Sequence, residues 1–336
     1  MQSELPSTEV PVRWGILGAA SVALKRVIPA IQASSSAQLV AIASRDPERL
    51  RLLLPVPPAV RIYGDYESLL ADGEVEALYL PLPNSLHAEW GIRALKAGKH
   101  VLCEKPLALT VEQGLSLLQT ARAQGRLLME AFMYRFHPQM LWVMEQISEG
   151  LIGAVKFVRS SFYFDLRSRP RDIRLQATLG GGSLVDVGCY SLNLCRAIYG
   201  RAPLAVGARV YVPARGEVER AVVAFLDFGE GRFALIDSSF ELPTRQLAEI
   251  VGENGTLLLN GPFTPGQVET TVTLTVGEQI VVRRFPPTDP YRLEIEHFGS
   301  CLRTGRPPLL QLEESLENLA TIEAIYRSAG YQWPLS

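Results

Sequence analysis

The sequence predicts an α/β protein of two domains: a doubly wound parallel sheet over residues 1–132, then, over 133–336, a domain built on a large, mostly antiparallel sheet. Three observations predict it. From Val12 to about Tyr134, short apolar runs alternate with helical patterns, which means parallel strands joined by crossovers. The strands in that half are nearly continuous in Val, Ile, Leu and Ala, as a sheet covered on both faces requires. Beyond Ala154 the runs become strand-like and are divided by Gly, Pro and Asn turns.

In chain order, the first half reads VRWGILGA as strand, SVALKRVIPAIQAS as helix, LVAIAS as strand and DPERLRLLL as helix. ALYLPL, HVLCEKP and LLMEAF follow as strands, separated by the helical SLHAEWGIRALKAG and TVEQGLSLLQTARAQG. Thr110 with Gln113 forms a capping box, and Gly98 and Gly125 stand where helices stop. In the second half AVKFVRSSFYF, LAVGARVYV, AVVAFLDF, RFALIDSSFEL, QLAEIVG, GTLLLNG and TTVTLTVG read as strands. GGGSLVDVGCYSLN interrupts them as a helix, and YRLEIEHFGSCLRTG and LEESLENLATIEAIYRSAG return to helical periodicity.

A chain of 336 residues suits two domains at about 150 residues each. Its 47% hydrophobic and 20% charged content and net charge of -2 give neither a basic footprint for nucleic acid nor an acidic tail. No run reaches the roughly 18 apolar residues of a membrane helix, and MQSELPSTEVPVR lacks the basic start and apolar core of a leader. The expectation is a cytoplasmic protein that engages neither nucleic acid nor membrane. Cys103, Cys189, Cys195 and Cys301 form no C-x-x-C pair and are expected as reduced thiols. The four histidines show no metal-ligand spacing, so no metal site is expected.

The chemistry concentrates in a few places. The first strand runs into a turn, Gly18, Ala19, Ala20 and Ser21, where a nucleotide fold needs the backbone to approach a pyrophosphate at a helix N-terminus. Gly18 takes the first place of G-x-G-x-x-G; Ala20 at the second weakens the match, and Ala23 at the third is permitted. The second strand ends at Ser44-Arg45-Asp46, where a ribose-reading residue belongs. A hydroxyl and a guanidinium there suit a 2′-phosphate; the alternative is a solvated Arg45 beside an Asp46 that caps the next helix. Glu104 and Lys105 end an apolar strand where open α/β sheets place ligands, and Pro106 stiffens the backbone that presents the lysine. In LGGGSLVDVGCYSLN, residues Ser183, Asp186, Tyr190 and Asn193 recur at steps of three, four and three on one helical face. Such short acceptors and a phenol suit a pocket wall, against the alternative of an N-cap serine with incidental neighbours.

These blocks, WGILGAASVA with VAIASRDPERL, PLPNSLHAEWGIRALKAGKHVLCEKPLALT, EAFMYRFHP and GGGSLVDVGCYSLN, resemble the Gfo/Idh/MocA oxidoreductases in order and spacing over nearly the whole chain. The resemblance implies a Rossmann domain followed by an α/β domain whose open sheet mediates homodimers or homotetramers. It implies that Lys105 contacts substrate and nicotinamide ribose, and it matches Asp186 to the aspartate of the glycine-rich helix. Many members carry histidine at Tyr190; the tyrosine form, EAFMYRFHP and Ser44-Arg45 resemble the branch of dimeric dihydrodiol dehydrogenases, NADP-dependent D-xylose dehydrogenases and glucose-fructose oxidoreductase. Leu82, Asn84 and His87 match positions near the nicotinamide, although Asn84 and His87 also suit a helix start.

The implied activity is hydride transfer between NADP, with NAD the less favoured cofactor, and a hydroxyl-bearing carbon of a sugar, cyclitol or vicinal diol. Tyr190 is the acid/base residue, flanked by Asp186 and Asn193, with the Lys105 cation expected to favour the phenolate. Tyr134, Arg135 and His137 are candidates for the substrate pocket or for a packed domain junction. Tyr163, Asp165 and Arg174 are further substrate candidates, with a surface role open for Arg174. A sensor of NADP(H) without catalysis and an NAD-dependent glycoside-cleaving enzyme are the competing readings; a sensor needs no proton-transfer pair, and the Ser44-Arg45 signal disfavours the second.

Overall fold

A computed structural model describes residues 10–53, 57 and 59–333. The N-terminal stretch read above for a leader lies outside the described residues as far as residue 9. The first sheet contains β1 (Val12–Leu17), β2 (Ala37–Ala43), β3 (Arg61–Tyr63), β4 (Ala77–Leu80), β5 (His100–Glu104) and β6 (Leu128–Ala131). Its order is β3-β2-β1-β4-β5-β6 with every pairing parallel. That order reverses between β1 and β4, and the carboxyl ends of strands at such a reversal open a ligand crevice. The crossovers are α1 (Ile28–Ala33), α2 (Pro47–Leu53), α3 (Tyr66–Leu70), α4 (His87–Lys96) and α5 (Val111–Gln124). Asp65 caps α3 and Thr110 caps α5 through the backbone N–H of Ser68 and of Gln113, while Gly125 closes α5 in the left-handed conformation.

The second half opens with α6 (Pro138–Ser148) and β7 (Val155–Tyr163) and then α7 (Cys189–Tyr199). Seven more strands follow: β8 (Ala205–Tyr211), β9 (Ala221–Gly229), β10 (Arg232–Ser239), β11 (Arg245–Gly252), β12 (Gly255–Asn260), β13 (Thr270–Val276) and β14 (Gln279–Phe285). The chain then closes with α8 (Pro290–Thr304) and α9 (Leu312–Ser328). The eight strands lie in the order β14-β13-β12-β11-β7-β10-β9-β8. Neighbours are antiparallel except β7 and β10. One face packs on α7. The other leaves Val223, Phe225 and, on the edge strand β14, Ile280 and Val282 exposed.

The chain reading missed α3, α6, β3 and β14. QIVVRRF lacks alternation because it is an edge strand exposed along six of its seven residues, tied to β13 by the two-residue turn Gly277-Glu278. The division near residue 132 separates the sheets but not the packing. Helix α8 returns to the first sheet, where Phe298 meets Trp14 at 5.2 Å between ring centroids, and Arg303 reaches Glu76 at 2.8 Å. Glu323 of α9 accepts from the Val111 backbone N–H that opens α5, at 2.9 Å. The last two helices therefore clamp the two sheets together around the cleft between them.

Candidate active site

A cleft of about 630 Å³ lies where the carboxyl ends of β1, β4 and β5 face the end of β7 and the start of α7. Strand β5 delivers Glu104 and Lys105 to its floor. The turn after them is fastened from behind: the Leu107 N–H donates to Glu130 Oε1 at 2.8 Å, and His87 Nδ1 lies 2.8 Å from the Pro106 carbonyl oxygen. Lys105 Nζ donates to Asp186 Oδ1 at 2.9 Å and to the Asp186 carbonyl oxygen at 2.6 Å. The other carboxylate oxygen of Asp186 accepts from Arg174 Nε at 2.8 Å. Burial alone would raise the Asp186 carboxyl, but Lys105 and Arg174 outweigh it and hold it below its ordinary value. Burial opposes the Lys105 charge too, yet Asp186 lifts the ammonium above its usual value, so both groups stay ionised.

Tyr190 sits against this pair in an aromatic box. Its ring lies 5.2 Å from Phe132, 5.7 Å from Phe162 and 5.6 Å from Phe263, centroid to centroid, and Lys105 Nζ stands 5.2 Å above its centroid. Burial, reinforced by Glu104, pushes the phenol well above its ordinary value. The expectation that the lysine favours a phenolate is thereby corrected. The Lys105 charge is committed to Asp186, and Tyr190 is held as a phenol, a proton donor.

The polar stripe on the glycine-rich helix divides. Asp186 and Tyr190 line the cleft. Ser183 is buried against the Ser238 hydroxyl at 3.0 Å, and Asn193 is buried, accepting from the Tyr134 hydroxyl at 2.6 Å and from Arg135 at 3.4 Å. A π turn over Leu184–Gly188 breaks the 3.6-residue spacing after Ser183, whereas Asn193 follows Tyr190 in regular α7 but lies a turn deeper, where Tyr134 and Arg135 claim its amide oxygen. Tyr134 and Arg135 thus belong to the packed domain junction, and neither they nor Asn193 reach the cleft as substrate contacts. Tyr163 is displaced by strand parity: its neighbours Phe162 and Phe164 face the cleft and Tyr163 takes the opposite side of β7. Asp165 is exposed and pairs with Arg167 at 2.8 Å. His137 caps α6, and burial lowers its imidazole to about 4. Arg174 does line the cleft, through its hold on Asp186.

The nucleotide side shows a similar sorting. Gly18 has φ +117°, which favours glycine, and a Cβ there would stand 2.8 Å from a Leu82 methyl that would have to move aside. Ala20 and Ser21 border the cleft beside the first helical turn, with Leu82 and Asn84 across from them. Ala19 is half-buried in the same turn. This is a cradle that fits a dinucleotide pyrophosphate. Asn84 spends its amide on the Gly180 carbonyl at 2.9 Å, tying the nucleotide side to the glycine turn. His87 is corrected from a cofactor contact to a support: it is fully buried, and Nε2 lies 2.8 Å from the Leu82 carbonyl oxygen while Nδ1 faces Pro106.

At the ribose position Asp46 caps α2 through the Arg49 N–H at 3.0 Å, and the Ser44 hydroxyl accepts from the Asp46 N–H at 3.2 Å. Arg45 is exposed and near enough to Tyr66 to act on its phenol, whose hydroxyl lies 3.8 Å from where a Gly18 Cβ would stand. The sequence reading overlooked Phe162, Phe164, Arg169, Asp172, Thr264 and Tyr291, all of which line the cleft. Strand parity at the end of β7 was the one signal available for the two phenylalanines.

Known proteins resemble this chain in sequence and in fold. Residues 12–132 match the model of an oxidoreductase family with an NAD-binding Rossmann fold, GFO_IDH_MocA, and residues 140–258 match the GFO/IDH/MocA C-terminal domain. A D-xylose 1-dehydrogenase (NADP(+)) of Haloferax volcanii is 40% identical over 320 residues, covering 94% of this chain and 97% of its own. The chain belongs to the Gfo/Idh/MocA oxidoreductase family. A 3-ketoreductase of Actinomadura kijaniata, solved with NADP and TDP-benzene, superposes with TM-score 0.88 at 33% identity, over 95% of this chain and 98% of its own. An aldose-aldose oxidoreductase of Caulobacter crescentus complexed with glycerol does so at 0.88 and 30% identity, over 96% and 98%. Both share the paired parallel and antiparallel sheets of this family member as a similarity of fold over the whole chain.

Proposed function

We propose that the protein is an NADP-dependent oxidoreductase that moves a hydride between nicotinamide C4 and a hydroxyl-bearing carbon of a sugar, cyclitol or vicinal diol. The observation that carries this reading is the convergence of Lys105, Asp186 and Tyr190 on one cleft beside the Gly18 cradle. The NADP named for the relatives in xylose oxidation and ketoreduction supports the cofactor. The bound cofactor supplies or accepts the hydride. Tyr190 gives its proton to the carbonyl oxygen in reduction and takes it back in oxidation. Lys105 has three N–H donors; two serve Asp186, and the third serves the substrate oxygen. Asp186 and Arg174 keep the lysine charged and aimed. Phe162 and Phe164 wall the cleft and exclude water.

An initial-rate screen of aldoses, cyclitols and vicinal diols with each cofactor, followed by nicotinamide absorbance, tests the reading. No turnover across the set rejects it. In the reductive direction, the rate stays level from about pH 6 to about pH 9, because the phenol remains protonated and Asp186 ionised throughout. A fall with a midpoint near an ordinary imidazole value would assign the proton to a histidine instead.

Arg45 is proposed to pair with the 2′-phosphate. Arg45→Ala should weaken NADPH by about 1.5 to 3 kcal/mol, on the order of ten- to a hundredfold in Kd, and leave NADH unchanged. Equal wild-type affinity for the two cofactors contradicts the assignment. The exposed apolar residues Val223, Phe225, Ile280 and Val282 on the open face of the eight-stranded sheet are proposed as a homo-oligomer interface. Light scattering at micromolar concentration should show a dimer or tetramer, and a monomer there refutes it. Four buried free cysteines suit a reducing compartment, and the cytoplasm is the location we propose.

A further inference from the structure

The glycine turn before the catalytic helix is held from the cleft side by Asn84 and by the Arg174 carbonyl, which accepts from the Gly182 N–H at 3.0 Å. Behind it lies a second set of contacts that the mechanism does not use. Glu219, fully buried just ahead of β9, accepts from the Leu184 N–H at 2.7 Å through Oε1, and its own carbonyl accepts from the Ser183 N–H at 3.2 Å. Its Oε2 occupies the space that a side chain on Gly182 would fill, 2.3 Å from an ideal Cβ, at a residue whose φ is +137°. From α9, the Tyr326 hydroxyl donates to the same Oε1 at 3.0 Å. Trp333 Nε1, five residues past the end of α9, donates to the Gly181 carbonyl at 3.0 Å, and its ring packs 5.5 Å from that of Tyr326.

We propose that Glu219, tied down by Tyr326 while Trp333 holds the adjoining Gly181 carbonyl, is the positioning residue of the catalytic helix. Leu184 opens the π turn, Asp186 is two residues further on, and Tyr190 six. The depth and rotation of that first turn decide where the carboxylate meets Lys105 and where the phenol meets the substrate. An orphaned Leu184 N–H inside the protein, with an empty space beside a glycine free to change φ, would let both groups drift. A misplacement of about 1 Å costs on the order of 10² in rate. Tyr326 and Trp333 border a separate hollow on the far side of the turn, so their contribution reaches the chemistry only through this clasp.

The proposal rests on the oxidoreductase reading, and its test separates the two. Glu219→Ala, Glu219→Gln, Tyr326→Phe and Trp333→Phe are compared with wild type for kcat, KM, NADPH Kd and the isotope effect with NADPH deuterated at the transferred position. Glu219→Ala should lose about 10² in kcat, keep NADPH Kd within about twofold and show a larger isotope effect, because the hydride step itself is slowed. Glu219→Gln should recover to within about fivefold of wild type, since its amide oxygen still accepts from Leu184. The proposal falls if Glu219→Ala lowers only the melting temperature, if kcat drops with an unchanged isotope effect, or if glutamine serves no better than alanine. Should Glu219→Ala not fold, Tyr326→Phe and Trp333→Phe decide: a smaller loss with the same raised isotope effect supports the clasp, and wild-type kinetics overturn it. If the wild type itself turns nothing over, the oxidoreductase reading fails. The clasp then stands or falls on crystal structures of Glu219→Gln, Tyr326→Phe and Trp333→Phe: Asp186 displaced from Lys105 in the phenylalanine variants but not in Glu219→Gln supports it, and an unmoved Asp186 refutes it.

Discussion

Tyr190→Phe is expected to fold, bind NADPH nearly as tightly as wild type, and lose about 10² to 10⁴ of its turnover. The ring makes the packing contacts, with Phe132, Phe162 and Phe263, and phenylalanine keeps all of them. The hydroxyl makes only a weak contact, 3.7 Å to the Met133 sulfur, so its loss orphans no buried partner and stability should barely change. What disappears is the exchangeable proton that the aromatic box presents to the cleft; the neighbouring Tyr134 hydroxyl is spent on Asn193. Steady-state kinetics with fluorescence titration of NADPH measure both halves of the expectation. A variant that keeps more than about a tenth of the wild-type rate falls short of the lower limit for acid/base catalysis and removes Tyr190 from that role. Lys105 would then lead as proton carrier, since His137 is committed to capping α6 and lies apart from the cleft.

Lys105→Ala should lose at least as much. It removes the donor expected at the substrate oxygen and leaves Asp186 with Arg174 as its remaining cationic partner. An ionised carboxylate deprived of one buried partner is costly, so this variant should also lose stability, by about 3 kcal/mol or more. Lys105→Met, which retains the apolar stem, separates packing from charge: its turnover should be as poor as that of Lys105→Ala. The double variant with Tyr190→Phe should be little worse than the poorer single, because the two groups act on one oxygen. Strictly multiplicative losses would show that they work independently and would contradict the shared site.

Much of the fold was legible because its signals are local. Continuous apolar strands between helical patterns predict a covered parallel sheet, and the structure has that sheet in the 3-2-1-4-5-6 order. Gly18, Glu104, Lys105, Asp186 and Tyr190 were readable for a related reason: each stands at the end of a strand or the start of a helix, where backbone geometry itself delivers a residue to the crevice. The errors also have local causes. Periodicity assigned Ser183 and Asn193 to the cleft face; a π turn over Leu184–Gly188 breaks the spacing at Ser183, and Asn193, a turn deeper in α7, is claimed by Tyr134 and Arg135. The Tyr163 assignment failed by one residue of strand parity, a shift that turns a side chain to the opposite face. His87 was read as a ligand-facing residue, whereas two carbonyls 2.8 Å from its ring nitrogens claim it for the scaffold.

The sequence by itself determined the two-sheet architecture, and it pointed to the glycine turn and to the lysine, aspartate and tyrosine of the site we propose, because strand and helix periods and turn chemistry act over a few residues. Only the tertiary structure decided the state in which those residues work. The charge of Lys105 is spent on Asp186, and Asp186 is shared with Arg174, a residue from a separate loop. Burial, with Glu104 nearby, holds Tyr190 as a phenol well above its ordinary pKa instead of a phenolate. Protonation depends on desolvation and on charges within a few ångströms, and those neighbours come from positions as far apart as 105, 174 and 186. The hold of Glu219, Tyr326 and Trp333 on the catalytic helix was invisible for the same reason: it joins residues 35 to 152 positions apart along the chain.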